Sequence, residues 1–245
     1  MTQPRTAIVT GAASGIGAAT VTELAARGYR VACIDRNGPG VREVVAAAGA
    51  RHFAFELDVA DEDAIVAAFA DAVKALGGLD ALVTSAGVAE MTPFMDLDAA
   101  TFRRVYDDNV IGTFLCIREA AKHMAAGGRI CTVASVAGLR GGGLSGTAAY
   151  AASKGAVLAL TKNAARALAD RGIAVNTIAP GATMTPMIAH VFANEAHRKR
   201  VESMSVMNRA AKAEEIARAI AFLVSPEASY VDGATLVADG GLCMY

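Results

Sequence analysis

Short apolar runs recur along this chain, each separated from the next by a longer stretch of helical pattern. They are TAIVT (6–10), RVACID (30–35), HFAFEL (52–57), LDALVTS (79–85), RICTVAS (129–135), IAVNTIAP (173–180) and ATLVAD (234–239). All are short, β-rich and flanked by Gly, Asp or Pro, which marks strands rather than pieces of buried helix. Between them stand amphipathic segments such as DEDAIVAAFADAVKALGG (61–78), with an acidic start and a glycine stop. Alternation of this kind implies a parallel sheet with helices on both faces, an α/β chain with seven mainly parallel strands.

Its 245 residues suffice for one domain with a large core and are too few for two generous ones. No linker or fixed-period repeat interrupts the rhythm, so residues 1–245 read as a single domain. One detour stands out at 186–212, PMIAHVFANEAHRKRVESMSVMNRAAK, helical in pattern and placed where a lid over a ligand is common. Its HRKR (197–200) reads as a solvated helix face rather than a phosphate patch, because the net charge of the whole chain is only −1. The same balance gives no electrostatic case for nucleic acid or an anionic membrane surface. No apolar segment approaches the ~20 residues of a membrane span. The start, MTQPRTAIVTGAASG, lacks a signal peptide's apolar stretch. Cys33, Cys116, Cys131 and Cys243 show no CxxC spacing and read as reduced, mostly buried thiols of a cytoplasmic protein. The histidines form no HExxH-like cluster, so no catalytic metal is expected.

TGAASGIG (10–17) follows the first strand directly and opens the first helix. Glycines there permit a tight turn and let backbone N–H groups approach a pyrophosphate, which makes Gly11, Ser14, Gly15, Ile16 and Gly17 candidate ligands of a dinucleotide. No Gly-Lys-Ser/Thr follows, which excludes a Walker-type phosphate loop. Asp35 ends the second strand, where a carboxylate accepts from the hydroxyls of an adenosine ribose and repels a 2′-phosphate. That favours NAD over NADP; the neighbouring Arg36 is the residue that could argue otherwise, while Ser14 brings no positive charge into the turn. In AAYAASKGAV (148–157), Tyr150 and Lys154 lie one turn apart on the same helix face.

In order, TGAASGIG, Asp58-Val59, Ser85-Ala86-Gly87, Asn109, Ser135, Tyr150-Ala-Ala-Ser-Lys154, PGATMT (180–185) and Asp239-Gly-Gly resemble the motif set of the short-chain dehydrogenase/reductases, over essentially the entire chain. The resemblance implies a Rossmann-type fold, a homotetramer and a nicotinamide cofactor. By position, Asp58 and Val59 would contact the adenine, and Ala86 and Gly87, with Ser85, would line the ribose. Thr185, with Pro180, Gly181 and Thr183, would hold the nicotinamide carboxamide. Two departures stand out. Thr84-Ser85 replaces the family's usual Asn-Asn, and the loop between Ser135 and Tyr150 is longer and richer in glycine than usual. Ser135 is assigned as the active serine because Val-Ala-Gly follows it; Ser145 is the alternative.

The expected activity is hydride transfer between NAD(H) and a secondary alcohol or its ketone. A free phenol, with a pKa near ~10, is a weak base at neutral pH. An ammonium at ~4 Å, with an effective dielectric of ~20, is worth about 4 kcal/mol, or roughly three pKa units. Tyr150 is therefore the expected general acid/base, with Lys154 lowering its pKa and, by resemblance, bonding the ribose. Ser135 would steady the substrate oxygen, and Asn109 would, by analogy with the family, hold a water relaying protons to Lys154; read without the family, Asn109 is a packed polar residue inside a helix. Met91, Phe94, Leu144, Met184, Met187, Val191 and Phe192 either line an apolar substrate pocket or pack the lid. Arg140 is the candidate clamp for a carboxylate. The alternatives are an NADPH-dependent 3-oxoacyl carrier-protein reductase and, from a different class, a non-catalytic nucleotide binder.

Overall fold

The computed structural model describes residues 4–142 and 147–244, with the backbone alone for His190 and Val191. The first half contains β1 (Thr6–Thr10), α1 (Gly15–Ala26), β2 (Arg30–Asp35), α2 (Gly38–Ala48), β3 (Phe53–Glu56), α3 (Glu62–Leu76), β4 (Leu79–Thr84), α4 (Ala99–Tyr106) and α5 (Gly112–His123). Then come β5 (Met124–Val133), α6 (Val136–Arg140), α7 (Ala148–Leu168), β6 (Ala174–Pro180), β7 (Thr183–Met184), α8 (Ala189–Ala193), α9 (Glu195–Glu202), β8 (Ala211–Lys212), α10 (Ala213–Leu223) and β9 (Thr235–Ala238).

The main sheet has seven strands, all parallel, in the order β3-β2-β1-β4-β5-β6-β9. This is the doubly wound α/β fold expected from the strand–helix alternation. β1 shows how the sequence builds it. All five of its residues are buried, and successive side chains serve opposite faces. Ile8 joins Phe69 of α3 and Leu115 of α5 on one face, and Val9 joins Leu24 of α1 and Ile220 of α10 on the other. Truncating the fully buried Phe69 to Ala would cost about 3–5 kcal/mol.

Helix ends follow local chemistry. The Asp61 carboxylate accepts from Ala64 N–H at 3.0 Å, Glu62 and Asp63 fill the first turn of α3, and Gly77 closes it at φ 78°. From β1 the strand order runs outward to β2 and β3 on one side and to β4, β5 and β6 on the other. The crevice at that reversal, beyond the carboxyl ends of β1 and β4, is where open α/β sheets bind ligands.

Three features differ from the reading of the sequence. The 129–135 strand begins earlier, at Met124, with a register shift against β4. The stretch after Ser135 is not all loop: Val136–Arg140 form α6, capped by the Ser135 hydroxyl, which accepts from Ala137 N–H at 3.1 Å. The 186–212 detour is short helices framed by a two-strand parallel clasp, Thr183 opposite Ala211 and Met184 opposite Lys212. Its HRKR lies on the exposed α9, where Lys199 pairs with Glu195 at 2.9 Å. No described helix is long and apolar enough to cross a membrane.

Candidate active site

The strand ends of β1, β2, β4, β5 and β6 open on one cavity of about 300 Å³. Gly11, Ser85, Ser135 and Gly181, each just beyond a strand, and Asp35, the last residue of β2, reach its wall. Of the residues expected at a dinucleotide, Ser14, Gly15, Ile16, Arg36, Asp58, Val59, Ala86, Gly87, Pro180, Thr183 and Thr185 stand there as well. Asp35 and Asp58 lie toward the β2–β3 side, while Ser135, Tyr150 and Lys154 lie toward β5 and β6.

Gly17 does not face the cavity. A Cβ on it would fall 2.0 Å from the Gly11 carbonyl oxygen, so its task is to let α1 pack against the turn. Gly11 and Gly15 take left-handed φ values of 68° and 54°. Ser14 caps α1 without a side-chain bond, and no acid occupies the first turn. The unpaired N–H groups and the helix dipole there suit a pyrophosphate. The residues present therefore fit a nicotinamide dinucleotide. Asp35 is fixed by Ala13 N–H at 2.9 Å and by Asn37 N–H at 2.8 Å, one on each carboxylate oxygen.

Asn109, also expected at the site, lies behind the wall and is fully buried. It is on a single π-helical turn, Asp107–Ile111, between α4 and α5. Its Oδ1 accepts from Val88 N–H at 2.8 Å, while Nδ2 donates to Val88 O at 3.0 Å and to Ser153 Oγ at 2.9 Å. Ser153 Oγ in turn donates to Tyr150 O at 2.8 Å. The side chain ties the post-β4 loop to α7.

The pairing of Tyr150 and Lys154 also differs from expectation. Lys154 Nζ donates to Val133 O at 2.8 Å and lies 5.9 Å from the centre of the Tyr150 ring. Burial pulls the Lys154 amine down to about 8. Burial also pushes the Tyr150 phenol up, with the Ser135 hydrogen bond opposing it. Burial is the largest influence on both groups in the free protein, and Lys154 gives an N–H to a backbone carbonyl, Val133 O.

Among the residues expected near the substrate, Met187 reaches the cavity, joined by Ile188 and Val201 from the detour. Met91, Phe94 and Met184 are exposed at 48%, 75% and 57% and do not line it. Phe192 packs on Ile188 and Val201. Leu144, Ser145 and the side chain of Val191 lie outside the described residues, and Arg140 is exposed.

Two acids escaped the reading of the sequence. The Glu90 carbonyl accepts from both Thr147 N–H and Thr147 Oγ1 at 3.1 Å, pinning the start of α7. Hydrogen bonds with Thr92 hold the Glu90 carboxyl below its ordinary range. Asp108 lines the cavity; the only signal for it was an acid pair immediately before Asn109.

A family model described as enoyl-(acyl carrier protein) reductase matches residues 11–243. The chain is 42% identical to a cis-4-hydroxycyclohexanecarboxylate dehydrogenase of Sinomonas cyclohexanicum, covering 97% of this chain and 96% of that protein. It is 35% identical to a 3-oxoacyl-[acyl-carrier-protein] reductase of Staphylococcus aureus over the whole of both chains. A short-chain dehydrogenase from Burkholderia cenocepacia, solved in complex with NADP, superposes with a TM-score of 0.91 at 35% identity over 98% of each chain.

Proposed function

Since the chain belongs to the short-chain dehydrogenase/reductase family, and so is an oxidoreductase acting on CH–OH groups with a nicotinamide cofactor, we propose that it uses NAD(H) to interconvert a secondary alcohol and its ketone. The observation that carries this reading is the meeting of Ser135, Tyr150 and Lys154 on the cavity that also holds the glycine turn and Asp35. A bound nicotinamide dinucleotide supplies the hydride acceptor or donor.

The protein's part is binding and proton transfer. The α1 N-terminus takes the pyrophosphate. Asp35, fixed by two backbone amides, accepts from ribose hydroxyls and opposes a 2′-phosphate. Ser135 donates to the substrate oxygen. Tyr150 takes the hydroxyl proton in oxidation and returns it in reduction. Lys154 spends one N–H on Val133 O and has others for the nicotinamide ribose. Asn109 acts through Ser153 on the helix that carries Tyr150, as a positioning residue.

The whole chain acts as one domain, with 186–212 as the lid. Ile111 and Phe114, 47% and 42% exposed, support burial against further copies in a homotetramer. The buried free thiols Cys33, Cys116 and Cys131 support a cytoplasmic setting. The relative that acts on a hydroxycyclohexanecarboxylate supports including ring alcohols among the substrates. Arg36 on the cavity wall keeps an NADPH-dependent 3-oxoacyl reductase as the second reading.

The test is a turnover screen over ring and open-chain secondary alcohols, hydroxy acids and 3-oxoacyl thioesters with both cofactors. Turnover of an alcohol with NAD is expected. Turnover of 3-oxoacyl thioesters with NADPH alone would establish the second reading instead.

A further inference from the structure

Asp239-Gly-Gly follows β9 directly and does not line the cavity, yet it touches both the cavity wall and the end of the 186–212 detour. The Asp239 carboxylate accepts from Gly241 N–H at 2.9 Å through Oδ1 and from Cys243 N–H at 2.7 Å through Oδ2. These two bonds fold residues 239–243 into a turn. Gly240 and Gly241 take left-handed φ values of 68° and 83° in it, where a side chain would be strained. One side of the turn is seated behind the cavity wall. A Cβ on Gly181 would fall 2.8 Å from Asp239 Cα, and Gly181 N–H donates to Ala238 O at 3.0 Å. Another side holds the detour. Gly240 O accepts from Met207 N–H at 3.1 Å. Cβ atoms on Gly240 and Gly241 would fall 3.3 Å from Ser205 Cβ and 3.1 Å from Val206 Cβ.

Little else holds the stretch that the turn grips. Val206 and Met207 are 66% and 58% exposed, so burial of their side chains contributes little. The ends of the detour meet only in the β7–β8 clasp, two residues paired with two. Between the clasp at Met184 and the grip at Ser205–Met207 runs the part that covers the cavity, where Ile188 and Val201 pack together and line it. A segment with so few buried apolar contacts opens locally at small cost in free energy. Whatever fixes Met207 therefore sets how much of the time Ile188 and Val201 are seated.

Resting on the reading of 186–212 as a lid over the alcohol, we infer that Asp239 is a positioning residue: its carboxylate builds the turn that anchors the lid at Met207 and so keeps Ile188 and Val201 on the cavity. Without that anchor only a fraction of the molecules has the lid seated. The apparent affinity for the alcohol then falls by that fraction, while saturating alcohol draws the lid back and preserves the rate of transfer.

The experiment is limited trypsin digestion of the whole chain with peptide mapping, joined to steady-state kinetics. Arg198, Lys199 and Arg200 on the exposed α9 report on the lid, and Lys74 of α3 and Lys162 of α7 report on the body. Asp239→Ala removes both acceptors. It should speed cleavage after residues 198–200 by about tenfold, with cleavage after Lys74 and Lys162 unchanged. Its KM for the alcohol should rise by about the same factor, with kcat within about twofold. Asp239→Asn keeps one acceptor oxygen and should fall between the two. Gly240→Ala leaves the carboxylate in place but sets a methyl group at φ 68° against Ser205. It should behave as Asp239→Ala does, and it decides the matter if Asp239→Ala does not fold. Lid cleavage at the unaltered rate in a folded variant overturns the inference. Cleavage that rises equally in lid and body, the mark of general destabilisation, overturns it too, as does a fall in kcat with KM unmoved. Digestion needs neither substrate nor cofactor. If the unaltered protein turns over no alcohol, the functional reading fails, while lid cleavage still decides the role of Asp239.

Discussion

A phenol whose pKa burial has raised is a poor base at neutral pH, and Tyr150 is such a phenol in the free protein. Two influences act against that burial. The Ser135 hydroxyl bonds the phenol and lowers its pKa, and a bound oxidised nicotinamide adds a positive charge nearby. Oxidation needs the phenolate, so kcat/KM for the alcohol should rise with pH through the apparent pKa of Tyr150; reduction needs the phenol and should fall over the same range. Ser135→Ala removes the influence that favours ionisation. Its oxidation profile should shift to higher pH as well as drop in height, which a pH–rate series in both directions would read. A drop in height alone would mean that Ser135 does not tune Tyr150. At this scale the glycine turn, Asp35 and the Tyr-x-x-x-Lys spacing are legible in the sequence because each is a local pattern. The direction of the Tyr150 shift was not legible, since it follows from burial that only the assembled fold creates.

The π-helical turn between α4 and α5 ties the post-β4 loop to the helix that carries Tyr150. It places Asn109 where one amide holds Val88 through both its N–H and its carbonyl and reaches Ser153 as well. Asn109→Leu keeps the branched shape and strands those buried groups, at about 1–3 kcal/mol for each unsatisfied one. Thermal melting should show the loss, and the variant's kcat should fall further than its affinity for NADH, because α7 loses its tie to the post-β4 loop. A variant with unchanged kcat would leave Asn109 as core packing only. Helical periodicity marks the helices on both sides of this turn but cannot reveal one extra residue per turn, so Asn109 reads from sequence as ordinary helix. The β7–β8 clasp is hidden for a different reason. Two residues are too few to show a period of two, and the pairing joins Thr183 to Ala211 across a long detour. Met91, Phe94 and Met184 were over-read, because apolar character alone does not tell a ligand surface from an exposed one.

Across the whole molecule, strand order matters more than any single contact. The reversal beyond β1 and β4 gathers the ends of five strands around one cavity, so residues scattered from Gly11 to Thr185 act together. The strands β1, β2, β4 and β6 were legible because their interiors are buried on both faces and read as continuous apolar runs. The wall beside β2 and β3 was not: Ile34 and Leu57 read as strand interior, and Asp108 reaches the cavity only because α5 docks against the loop after β3. The central claim is that this cavity binds a nicotinamide dinucleotide and that Tyr150 moves the proton there. It is tested most directly by measuring NADH affinity and turnover side by side for Tyr150→Phe, on a substrate the unaltered protein turns over. Loss of one hydroxyl should leave NADH binding within a few-fold and cut kcat by roughly 10²–10⁴-fold, the size of a general acid/base contribution. Turnover near that of the unaltered protein, with NADH binding intact, would contradict the account.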